Sequence, residues 1–177
     1  VPNEDAHPSF LAIDFAVCKD ENGELSPQLI ELQGFPSLFG YQWYLGQLYR
    51  QFFTVPDSCT PYFNKLDDSS YIQKFKDILL GDTDPKQIVL LEIEPEKQNT
   101  KIDFYYCKRD IGIPVICVTE LIQKGKKLFY TNDKGVEIEV KRIYNRVIFD
   151  ELDLRTDLQL NFDFSADLDV EWAGHPN

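Results

Sequence analysis

Ile88-Val89-Leu90-Leu91 is an unbroken apolar stretch followed by Glu92-Ile93, and Val115-Ile116-Cys117-Val118 is a second. A strand that is apolar at every position has no face to turn to water, so it must be covered on both sides. Between the two runs lie helix signals. Asn99 or Thr100 can cap a helix that runs through Arg109, and Gly112 can close it as a left-handed residue. Strand, helix, then further strands predict an α/β fold with an open, mostly parallel sheet and flanking helices.

A β-hairpin and a helix are expected before that sheet. Phe10–Val17 reads as a strand, Asn22-Gly23 as its turn, and Gln28–Gln33 as the returning strand. Ser37 is placed to cap a helix over residues 38–51, which carries Leu38, Tyr41, Leu45, Leu48 and Phe52 at helical spacing. Phe39, Trp43, Tyr44 and Phe52 are expected in its packed core. Residues 54–68 are rich in proline, serine and aspartate and read as a connection. An amphipathic helix then spans residues 71–79 and ends at Gly81. Asn132–Gly135 turns a small hairpin between strands at 127–130 and 136–140, and a strand follows at 142–148. The pattern divides the chain into a hairpin-and-helix unit (1–68), an α/β unit (69–152) and a tail (153–177), the last an edge strand or an extended arm.

Composition narrows the function. With 43% hydrophobic residues among 177, the chain can bury a core without disulfides. Its formal charge of −12 repels phosphate backbones, so nucleic acid is not an expected partner. The basic cluster Lys124, Lys126 and Lys127 reads as a solvated turn. No apolar run is long enough to span a bilayer, so no membrane partner is expected. Four scattered cysteines and two histidines, His7 and His175, do not make a zinc site and point to a reducing, cytoplasmic setting. The absence of methionine and the opening on Val1 suggest a segment of a longer protein.

The hairpin carries the first candidate site. Glu31 and Gln33 are two apart on one strand, so they leave the same face. Asp14 lies on the partner strand, where the register decides its direction. Two carboxylates and an amide oxygen make a hard oxygen set suited to Mg²⁺, although ordinary solvent-facing strand residues have the same spacing. Ile13-Asp14-Phe15, a polar turn, and Pro27-Gln28-Leu29-Ile30-Glu31-Leu32-Gln33 resemble the metal hairpin of the circularly permuted ATP-grasp family, typified by glutathionylspermidine synthase. The resemblance implies that Asp14, Glu31 and Gln33 hold Mg²⁺ on the phosphates of ATP. Gln33 stands where the family has asparagine, and Ala12 where it has an arginine. Loss of that cation weakens stabilisation of a transferring phosphate.

The α/β unit continues the resemblance through about Leu152. Leu90–Thr100 resembles the first strand and helix start of the family's pre-ATP-grasp domain, and Ile143-Tyr144-Asn145-Arg146 its Val-Tyr-Arg-Arg strand. This implies a fragment of an ATP- and Mg²⁺-dependent carboxylate–amine ligase acting on a small-molecule or peptide carboxylate. Phosphate-gripping lysines and a glycine-rich loop are not found here, so the isolated chain is expected to be inactive. The alternative is a non-catalytic ATP-grasp-like module that binds a peptide or protein. Arg146 is the candidate for holding the substrate carboxylate as a bidentate fork, or else pairs with Asp150 or Glu151. Glu92, Glu94 and Glu96 read as a solvated acidic strand end.

Overall fold

A computed structural model describes residues 2, 3 and 6–174 of the chain; His175 lies outside the described residues. The centre is a four-stranded, wholly parallel sheet. It is built from β3 (Ile88–Glu92), β4 (Val115–Cys117), β8 (Arg142–Asn145) and β9 (Glu171–Ala173), in the order β4-β3-β8-β9. Every residue of β3 is buried, as its continuous apolar run requires. The two faces of the strand divide its side chains. Ile88 and Leu90 enter one core with Phe75, Leu79, Phe104, Cys107 and Tyr144. Val89 and Leu91 enter the other with Leu121, Leu128, Val140 and Ile143. Period-two alternation thus feeds two cores from one strand.

Helices cover the first face. α1 (Phe39–Phe52), α2 (Asp68–Leu80) and α3 (Lys101–Tyr106) pack together there. The Trp43 indole donates to the Asp68 carbonyl at 2.7 Å, and Tyr71 Oη donates to the Phe39 carbonyl at 3.2 Å. Asp67 caps α2 in a reciprocal box with Ser70. α3 continues into a π-helical turn over Cys107–Ile111, closed by Gly112 at φ 88°. The second face is covered by an antiparallel meander of β5 (Ile122–Lys124), β6 (Lys127–Thr131) and β7 (Glu137–Val140). The lysine cluster sits on this meander in ion pairs: Lys124 with Glu137, Lys126 with Asp167 and Lys127 with Glu139.

The tail is part of the core. After a short helix α4 (Phe149–Leu154), the chain runs irregularly and buries Phe162, Phe164, Leu168 and Val170 before pairing β9 with β8. Residues 151–164 alternate leucine or phenylalanine with polar residues but do not form a strand; the edge strand lies further on, at Glu171–Ala173.

The hairpin, β1 (Ala12–Lys19) and β2 (Leu25–Gln33), forms its own two-stranded sheet. Its apolar side chains stand largely in solvent: Phe15 is 54% exposed, Leu29 65% and Leu32 62%. Two corrections concern α1. Phe52 is exposed rather than packed. Ser37 does not cap the helix; the cap residue is Leu38, at φ 70°, and its side chain makes no capping bond.

Candidate functional site

Asp14 and Glu31 are direct cross-strand partners, and Ala12 faces Gln33. A register shift follows at Asp14/Phe15. It leaves Ile30 as an extra residue on β2, so Phe15 pairs with Leu29 and the apolar residues stay on one face. The other face carries Asp14, Glu31 and Gln33 together. The Gln33 amide donates to Asp14 Oδ2 at 2.8 Å and to Glu31 Oε1 at 3.0 Å. One atom thus touches both carboxylates. An amide turned over about its last torsion offers its oxygen to the same point, since the two orientations differ only in the hydrogen bonds they make. Two carboxylates and an amide oxygen around one point suit a hard divalent cation. Among the described residues, no three His, Cys, Asp or Glu side chains converge on a metal position; the hairpin has two carboxylates, and its third donor is an amide.

Arg146 follows β8 at the carboxyl end of the parallel sheet, the end at which open α/β sheets gather ligands. It is only 6% exposed. Its Nη1 donates to the Pro36 carbonyl at 2.8 Å, and its guanidinium lies 4.7 Å from the centre of the Phe35 ring. The expected pairing with Asp150 or Glu151 does not form; among the described residues Arg146 makes no ion pair, and its Nε is buried without a hydrogen-bond partner. Beside it is a cavity of about 180 Å³ whose walls include Phe10, Phe35, Pro36, Asn145 and Trp172. Pro36 is three residues beyond Gln33, so the Arg146 pocket and the hairpin share one short stretch of chain.

Two buried carboxyls escaped the sequence reading. Glu92 closes β3 and is 5% exposed, not solvated. Burial raises its carboxyl to about 7, against a smaller opposing pull from the Ile93 N–H and Arg146. Glu94 pairs with Lys97 and Arg155, and Glu96 accepts from Tyr105 Oη. Asp103 is 1% exposed, and its carboxyl is raised by burial. Its Oδ1 accepts from the Tyr41 N–H at 2.7 Å, while its Oδ2 is buried without a hydrogen-bond partner among the described residues. It therefore satisfies one first-turn N–H of α1 from α3. A signal was present: Asp103 lies four residues before buried Cys107, on the apolar side of its helix.

Among the described residues, no helix is long and apolar enough to cross a membrane. No family model, no curated protein and no solved structure matches the chain.

Proposed function

We propose that this chain is the cation-binding and substrate-side part of an ATP- and Mg²⁺-dependent carboxylate–amine ligase of the ATP-grasp kind. The observation that carries the reading is the contact of one Gln33 amide with both Asp14 and Glu31. Asp14, Glu31 and a reoriented Gln33 would hold Mg²⁺, which supplies charge neutralisation for nucleotide phosphates. Arg146 would hold the carboxylate that is to be activated. The exposed apolar face of the hairpin also supports the reading, because a two-stranded hairpin alone is marginally stable and such a face is ordinarily covered by further structure. Without that structure the chain is proposed to have no turnover.

A second reading, a non-catalytic module that binds a peptide or protein, draws on Ala12. It stands directly opposite Gln33 and brings no cation to the site. Calorimetric titration with Mg²⁺, with and without ATP, separates the two. The ligase reading expects saturable heat that disappears in both Asp14→Ala and Glu31→Ala. Absence of Mg²⁺ binding with or without nucleotide would refute it and leave the module.

A further inference from the structure

We propose that the cavity beside Arg146 is a binding site for a small monocarboxylate with a short apolar body. The charge of Arg146 is withdrawn from water, yet among the described residues only one backbone carbonyl answers it at hydrogen-bond distance. A buried guanidinium with an open N–H is costly unless an anion completes its set. The nearest internal carboxyls do not serve. Glu92 and Asp103 are both shifted by burial toward their neutral forms, and neither comes within ion-pair distance of Arg146. Arg146 itself forms part of the cavity's lining.

Size and walls select the ligand. A volume of about 180 Å³ equals the space of roughly six waters. It takes a carboxylate with a short tail. Phe10, Phe35 and Trp172 offer apolar surface for that tail. A phosphate dianion calls for several converging donors, whereas among the described residues no lysine or second arginine lines the cavity. Among the described residues, His7 and Tyr144 are the other titratable groups in the lining. The Phe35 ring over the guanidinium and the Pro36 carbonyl on Nη1 fix the plane of the fork, so orientation as well as charge is specified. The role of the ligand as the acyl substrate rests on the ligase reading; the site itself does not.

The test is a metal-free and nucleotide-free titration of the full chain with propionate, benzoate and inorganic phosphate, followed by NMR shifts and by Trp172 fluorescence. Saturable binding of a carboxylate is expected, stronger than that of phosphate. Arg146→Lys keeps the charge but loses the fork and should weaken binding by about tenfold or more. Ser9→Trp, which adds bulk at a residue of the cavity wall, should abolish it and guards against a folding defect in the arginine variant. Either no saturable response to any carboxylate, tighter binding of phosphate, or unchanged affinity in both variants overturns the proposal. Because Mg²⁺ is not used, failure here leaves the hairpin titration untouched, and failure there leaves this one untouched.

Discussion

Gly40 and Gly46 lie on the same helix, and the structure assigns opposite signs to their replacement by alanine. At Gly40 a new Cβ would overlap Tyr106 Cδ1, and would stand 3.0 Å from Cε1 and 3.2 Å from Asp103 Oδ1. Tyr106 cannot retreat easily. It is 4% exposed, with the Trp43 ring centre at 5.3 Å, Tyr44 at 6.4 Å and the Arg109 guanidinium at 5.8 Å. Overpacking of this kind costs about 1–3 kcal/mol. Alanine's helix propensity returns at most about 1 kcal/mol, and less in a first turn. The net effect of Gly40→Ala is therefore a loss of about 1–2 kcal/mol, or a Tm lower by about 2–8 °C in a chain of this size. At Gly46, mid-helix, the nearest atom to a new Cβ is Pro61 Cγ at 3.9 Å, an ordinary contact. Only the propensity gain remains there, and Gly46→Ala should raise Tm by about 1–4 °C. Thermal unfolding followed by circular dichroism at one pH measures both. A rise in Gly40→Ala, or shifts of the same sign in the two variants, would refute the close approach of α1 to α3.

Two pH effects follow from the buried and capping carboxyls. Glu92 rises from 4.5 to about 7 in the fold; between those values the folded chain holds a proton that the unfolded chain has released, so this group's contribution is full below pH 4.5 and falls as pH rises through about 7. Tm compared at pH 5 and 7.5 should show that slope diminished in Glu92→Gln; an unchanged slope would assign it elsewhere. Asp67 is lowered from 3.8 to about 2, chiefly by the Ser70 hydroxyl it accepts from, then by the Ser70 N–H. Its contribution is present above pH 3.8 and is lost as pH falls toward about 2. Asp67→Ala should lower Tm at neutral pH, while Asp67→Asn, which still accepts at the cap, should lower it less.

The parallel sheet was legible because β3 is apolar on both faces, and a run with no polar side has one structural solution. The hairpin was legible for a similar reason: Asn22-Gly23 fixes the turn, and a period of two puts Glu31 and Gln33 on one face. What pairing alone decides was not legible. The register that sets Asp14 against Glu31, and the extra residue Ile30 that keeps the apolar face together, depend on contacts between strands rather than on either strand's pattern. Glu92 was misread because its neighbours Glu94 and Glu96 are charged; its burial comes from strands β4 and β8 on either side, which no local window contains. The tail buries Phe162, Phe164 and Leu168 without regular structure, so its alternation of apolar and polar residues did not mark a strand. Arg146 was found by residue type, but its partners, Phe35 and Pro36, lie over a hundred residues earlier in the chain.

The capping of α1 by Asp103 also sets an order of events. The Tyr41 N–H in the helix's first turn waits for a carboxylate 62 residues downstream, so α1 is synthesised well before its cap exists. A helix of 14 residues with no partner is marginal in water. Closing a loop of that span is an entropic step that precedes its reward. The cap on the first turn of α1 can therefore form only once α3 lies alongside it.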